Sequence, residues 1–160
     1  MTEKILENFS IAQICESGQC FRMEEIQDGR YQVIAGDRYL ELEQQENRVR
    51  FDCTEVEYRD FWRHYFDIET DYGAVMAQIN PNDTYLTAAA QLAWGVRILN
   101  QDLWEMIVTF LISQQNNIVR IRRCIKNICE TYGTAKTASN GVCYYAFPTA
   151  WHLLGLKKML

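Results

Sequence analysis

Short alternating runs occupy the first third of the chain, and runs at helical period occupy the rest. Residues 20–25, 30–34, 39–43 and 48–52 alternate or are rich in β-branched and aromatic side chains, which predicts four strands. Asp28-Gly29, Gly36-Asp37 and Glu46-Asn47 lie between them as turn signals, so the strands form an antiparallel meander. Over residues 54–66, Val56, Phe61, Trp62, Tyr65 and Phe66 can share one helix face. Tyr72, Val75, Met76 and Ile79 predict a short helix that Pro81 ends. Residues 84–94 are alanine-rich and helical, with Gly95 as the stop. The run Trp104, Met106, Ile107, Val108, Phe110, Leu111, Ile112 is apolar on every side, which predicts a buried helix. Asp102-x-x-Glu105 reads as its capping box, with Asp102 accepting backbone N–H groups and Glu105 reaching back. Ile118, Ile121, Ile125 and Ile128 continue at helical spacing until Gly133. Phe147-Pro148-Thr149 announces a last helix with Leu153, Leu154 and Leu156 as apolar positions. The fold class is α+β: an antiparallel sheet with flanking helices, then helices alone.

Composition narrows the class. At 160 residues, 48% hydrophobic and 23% charged, the chain can bury a sizeable core and is unlike a disordered protein. Met1-Thr2-Glu3-Lys4 leads into no apolar signal segment, and no apolar run reaches the length of a membrane span. A soluble, cytoplasmic protein is expected. The six cysteines (Cys15, Cys20, Cys53, Cys124, Cys129, Cys143) include no Cys-x-x-Cys, and neither His64 nor His152 stands within metal-ligand spacing. They read as reduced, small buried hydrophobes, with no metal site. No GxGxxG, Walker loop, HExxH or nucleophile elbow occurs, so no cofactor is implied.

Charge divides the chain. Residues 1–100 carry 9 Lys+Arg against 18 Asp+Glu, whereas residues 101–160 carry 7 against 3. Arg120, Arg122, Arg123 and Lys126 crowd one helix, with no acid between Ser113 and Lys126. A local basic patch suits phosphate contacts whatever the net charge. Solvation alone would also explain Arg122, Arg123 and Lys126. Ahead of the patch stands Ser113-Gln114-Gln115-Asn116-Asn117-Ile118-Val119-Arg120-Ile121. Four side-chain amides followed by an arginine can read base edges, or they can form a polar turn between helices.

Two motifs add a resemblance. Ser113 to Ile121, preceded by Arg97-Ile98-Leu99-Asn100-Gln101-Asp102-Leu103-Trp104-Glu105, resembles the core segment of the 8-oxoguanine DNA glycosylases, members of the helix-hairpin-helix superfamily. Ser17-Gly18-Gln19-Cys20-Phe21-Arg22 resembles the Ser-Gly-Gln-x-Phe-Arg signature of their N-terminal domain. The similarity runs along nearly the whole chain, down to Phe147-Pro148. It implies a TATA-box-binding-protein-like antiparallel-sheet domain over residues 1–98. Residues 99–160 would then be the first helices of a truncated helical catalytic domain.

The resemblance also implies roles. Family members flip the damaged guanine out of the duplex, fill the hole and hold the orphaned cytosine. Gln115 stands where the family has an asparagine plug, so the same amide acts on one more methylene. Asn116 and Asn117 match the rest of the run and organise the turn or adjacent DNA contacts. Arg120 matches the arginine that donates to cytosine O2 and N3. Gly18 matches the glycine whose carbonyl meets the N7 hydrogen that 8-oxoguanine has and guanine lacks; it also reads as a strand-entry turn glycine. Phe21 and Arg22 support the sheet.

The family's Leu-Pro-Gly-x-Gly hairpin, its Schiff-base lysine and its later aspartate have no match here, and Lys157 and Lys158 stand without a hairpin. No catalytic residue is therefore assigned. The expectation is a portion of a bifunctional glycosylase and abasic-site lyase that removes 8-oxoguanine paired with cytosine, itself inactive alone. Its partner is double-stranded DNA containing that lesion, in the bacterial nucleoid or, in a eukaryote, the nucleus. The helix around 104–112 would be left partly uncovered, open to self-association. The alternatives are a glycosylase for alkylated purines and a non-catalytic DNA-binding or scaffold module.

Overall fold

The computed structural model describes residues 1–154, so the expected role of Leu156 lies outside the described residues. Strands β1 (Thr2–Ile5), β2 (Met23–Gln27), β3 (Arg30–Ala35), β4 (Arg38–Gln45) and β5 (Arg48–Phe51) form one antiparallel sheet in the order β1-β5-β4-β3-β2. The chain is α+β. The four expected strands are present, but β2 starts at Met23 rather than at residue 20, because residues 21–22 form a turn. Strand β1 is not marked by the hydrophobic pattern, since Thr2-Glu3-Lys4-Ile5 has no apolar alternation. Pairing with β5, from Thr2↔Phe51 to Ile5↔Arg48, holds it in place.

Helix α1 (Ile11–Glu16) is a further element that was not predicted, although Ser10 caps it by accepting the Gln13 N–H and Ile11, Ile14 and Cys15 are its buried stripe. The helical stretch after the sheet consists of α2 (Glu55–Glu57), a π-helical turn over Tyr58–Trp62 and α3 (Arg63–Tyr65). Here both halves of a capping box form between Thr54 and Glu57. Helices α4 (Tyr72–Met76) and α5 (Thr84–Leu92) follow, each capped by an aspartate.

The chain divides into two compact units. Unit one comprises Met1–Cys20, Glu24–Gln32 and Leu40–Asn100. Its core is aromatic: Phe9, Phe51, Trp62, Tyr65 and Phe66 are buried, with Phe66 edge-on to Phe9 at 5.8 Å and to Phe51 at 6.0 Å. Such pairs gain a little beyond their area burial. Through this unit runs the buried Arg97, which donates to the carbonyls of Glu7, Asn8, Asp67 and Thr70 at 2.8–3.0 Å.

Unit two comprises Phe21–Met23, Val33–Tyr39 and Gln101–Leu160. It holds α6 (Leu103–Ser113), α7 (Ile118–Tyr132), the hairpin β6 (Ala135–Thr137) and β7 (Cys143–Tyr145), and α8 (Ala150–Leu154). Ile121, Ile125, Cys129 and Phe147 form its core, with Phe21, Val108 and Ile112 packed against them. The buried stripe of α7 is thus Ile121, Ile125 and Cys129; Ile118 is exposed and Ile128 only half-buried. Gly133 ends α7 where the chain passes against itself: a Cβ there would stand 2.1 Å from the Ala146 carbonyl oxygen.

Two expectations are corrected. Helix α6 is not buried all round. Leu103, Met106, Ile107, Phe110 and Leu111 are exposed, and its buried residues are Glu105 and Thr109. An all-apolar pattern says that a helix wants cover; it does not say that the cover is within the same residues. The cysteines are likewise not uniformly interior, as Cys124 is half-buried and Cys143 exposed. Among the described residues no helix is long and apolar enough to cross a membrane.

Candidate nucleic-acid interface

The entry of α6 is fixed by a buried ion pair. Asp102 accepts the Glu105 N–H at 2.9 Å, as a cap should. Glu105 does not reach back to complete the expected box. Its two oxygens instead accept from Arg22 Nη1 at 3.1 Å and from the Gly36 N–H at 2.7 Å. The buried charge of Arg22 outbids the exposed cap N–H for this carboxylate. Arg22 also donates to the Gly36 and Tyr145 carbonyls and lies over the Phe147 ring. Burial pushes the Glu105 carboxyl above its ordinary value, with Arg22 pulling the other way.

At the far end of α6 the amides divide into two groups. Ser113 Oγ and Gln114 Nε2 both donate to the Phe110 carbonyl, at 2.7 and 3.2 Å. Asn116 Nδ2 donates to the Ile112 carbonyl, and its Oδ1 accepts the Asn117 N–H. Asn117 caps α7 by accepting the Arg120 N–H at 3.0 Å. These three amides build the turn. Gln115 does not: its side chain is exposed, and among the described residues neither its amide nor the Arg120 guanidinium has a partner.

Gln115 also sits at φ +49, a left-handed conformation that costs an L-residue with a long side chain about 1 kcal/mol. Gln115→Gly should therefore raise folding stability by about 1 kcal/mol while removing the free amide. A urea unfolding midpoint that stays put or falls would show that the turn stores no strain there.

Along α7 the cations are unequal. Arg120 and Arg123 are exposed one turn apart, and Arg123 has no partner among the described residues. Lys126 stands 3.9 Å from Glu130, and Arg122 is half-buried with its Nε unpartnered.

In unit one, Gly18 directly follows the last turn of α1 at φ +77, a conformation open to glycine. Nothing lies within 4 Å of where its Cβ would be, and no donor among the described residues reaches its carbonyl. Its neighbours are held: Ser17 Oγ donates to the Ile14 carbonyl, and the Gln19 carboxamide bonds the Arg97 carbonyl and the Leu99 N–H. The hydrophobic pattern gives no hint of the Gln19 anchor, a polar side chain bonded to backbone far away in sequence.

Solved structures that share this fold include DNA glycosylases. One, described as MBOgg1 in complex with low affinity DNA ligand, superposes with a TM-score of 0.89 at 33% identity, over 97% of this chain and 54% of that one. The Clostridium acetobutylicum 8-oxoguanine glycosylase/lyase, in complex with dsDNA containing cytosine opposite to 8-oxoG, gives 0.85 at 36% identity over 92% and 50%. The N-glycosylase/DNA lyase of Saccharomyces cerevisiae is 42% identical over 59 residues, 37% of this chain and 16% of the yeast protein. The family described as 8-oxoguanine DNA glycosylase, N-terminal domain, matches residues 3–107, and the chain belongs to it. It spans about half the length of the solved relatives.

Proposed function

We propose that this chain is the lesion-reading and strand-gripping portion of a glycosylase and abasic-site lyase that removes 8-oxoguanine paired with cytosine. The observation that carries the reading is the division of labour around the turn after α6: three amides bond the backbone, while among the described residues the Gln115 amide and the Arg120 guanidinium are left to meet a ligand. A planar guanidinium offers paired donors, and an unpaired cytosine presents O2 and N3 as paired acceptors. Gln115 enters the space left by the extruded base, its extra methylene carrying the amide deeper than an asparagine would. Asn116 and Asn117 set the turn that aims both. The Gly18 carbonyl accepts the N7 hydrogen of 8-oxoguanine and repels the N7 lone pair of guanine.

Residues 1–98 act as the N-terminal sheet domain and residues 99–160 as the first helices of the catalytic domain. The nucleophilic lysine and assisting aspartate lie outside this chain, which works where the DNA is, in a nucleoid or a nucleus. Exposed Leu103, Ile107, Phe110 and Leu111 give the chain alone a face for self-association.

The test is a titration of duplexes holding 8-oxoguanine opposite cytosine or adenine, with borohydride added. The chain alone is expected to bind without cutting and without forming a trapped complex. Arg120→Ala should reduce the preference for cytosine by about tenfold, as loss of a bidentate base contact does. A covalent adduct would place a nucleophile inside the chain and overturn the division of roles. An unchanged preference would remove Arg120 from the cytosine contact.

A further inference from the structure

We propose that Gln19 is a positioning residue that holds the Gly18 carbonyl in the direction from which it reads the lesion. The inference rests on the role given to Gly18 above. Gly18 has the widest backbone freedom and no side chain to pack: its φ is +77 and the place of a Cβ is empty to 4 Å. No donor among the described residues holds its carbonyl. The direction must come from the residues on either side.

On the N-terminal side, Ser17 is held twice against α1. Its N–H donates to the Gln13 carbonyl at 2.9 Å and its Oγ to the Ile14 carbonyl at 2.7 Å. On the C-terminal side the anchor is the Gln19 carboxamide. Nε2 donates to the Arg97 carbonyl at 2.8 Å, and Oε1 accepts the Leu99 N–H at 3.0 Å. Those are the bonds a neighbouring strand would make on the two sides of Ile98. Nε2 also stands 3.0 Å from Ser17 Oγ, which ties the two anchors across the glycine.

The segment that Gln19 grips is itself fixed. The Ile98 N–H is accepted by the Tyr72 hydroxyl at 2.9 Å, the Asn100 N–H by the Tyr65 carbonyl at 2.9 Å, and the Arg97 guanidinium by four carbonyls. The turn is thus a glycine hinge clamped between a helix end and a rigid post. Each amide atom of Gln19 is needed. A carboxylate could accept from Leu99 but not donate to Arg97, and a thioether could do neither.

Gln19→Glu, Gln19→Met and Gly18→Ala are compared in the native protein, by its affinity for duplexes carrying 8-oxoguanine or guanine opposite cytosine. Both Gln19 variants should lower the ratio of the two affinities by about tenfold or more, with affinity for the undamaged duplex unchanged. A merely structural glutamine would weaken both duplexes alike, and that result overturns the proposal. So does an intact ratio in the Gln19 variants alongside a collapsed ratio in Gly18→Ala, which leaves the Gly18 reading standing. An intact ratio in Gly18→Ala removes the Gly18 reading, and this proposal with it. Should Gln19→Glu not fold, Gln19→Met carries the measurement; if neither folds, Gln19 is a fold determinant and the proposal is overturned.

Discussion

Arg97→Leu is expected to lower the unfolding free energy by about 3–5 kcal/mol, the range for removing one side of a buried charged network. Arg97 is 4% exposed and, among the described residues, forms no ion pair with a carboxylate; its guanidinium donates to the carbonyls of Glu7, Asn8, Asp67 and Thr70, and lies 4.4 Å from the Tyr72 ring centroid. Burial pulls its pKa below the ordinary arginine value, with nearby Tyr72 and Asp67 opposing. Two of the acceptors explain why the site matters. Asn8 and Asp67 lie at φ +49 and +50, left-handed turns that asparagine and aspartate tolerate but do not prefer, and Arg97 bonds the carbonyls of both. Leucine would fill the volume and leave these buried oxygens without donors. Lysine should not rescue the loss, because one compact ammonium cannot span a fork's worth of acceptors. Urea unfolding decides it: a loss below about 1 kcal/mol would mean that water replaces the guanidinium at little cost.

Much of the sheet was legible because its strands and turns are local. In β3 the half-buried and buried positions alternate strictly, and Asp28-Gly29 turns the chain just before it with Gly29 at φ +71. Strand β1 was not legible for the opposite reason: its partner β5 is some fifty residues away, and only that pairing makes Thr2–Ile5 a strand. The hairpin of β6 and β7 is similar, since its six residues carry little pattern and are latched from outside by Lys136 on Asp37 and Tyr144 Oη on the Asp37 carbonyl. Helix α1 could have been read, with Ser10 ahead of Ile11, Ile14 and Cys15 at helical spacing.

The candidate interface was legible in composition but not in wiring. A run of four amides is visible in the sequence; which of them remains unbonded depends on the left-handed turn at Gln115, and neither Gln nor its neighbours announce that conformation. Glu105 shows the same limit. Its spacing from Asp102 reads as a local capping box, yet the carboxylate is taken by Arg22, eighty-three residues earlier. Local spacing offers a side chain a nearby partner, and the tertiary fold supplies a stronger one.

Glu105→Ala should cost about 3–5 kcal/mol of folding stability, because it strands Arg22 in the interior and leaves the Gly36 N–H without its acceptor. Both side chains are under a tenth exposed, so water cannot step in cheaply. Arg22→Met combined with Glu105→Leu should recover the part of that loss that comes from the stranded charge, since two apolar groups leave no charge to satisfy, while the Gly36 N–H stays without its acceptor. The pair also has a pH signature. Burial raises the Glu105 pKa, so the native state binds a proton more readily than the unfolded chain. Its contribution to stability is full below the unfolded glutamate value and is lost as pH rises through the raised native value. Asp37 works in the opposite direction: the Lys136 hydrogen bond lowers its pKa, and its contribution is present above the unfolded aspartate value and lost as pH falls. Glu105→Gln should therefore flatten the decline in stability above the ordinary glutamate range, leaving the acid-side loss from Asp37 in place. Unfolding midpoints taken across that range would expose the difference. An unchanged pH slope in Glu105→Gln would mean that the attraction of Arg22 balances the cost of burial.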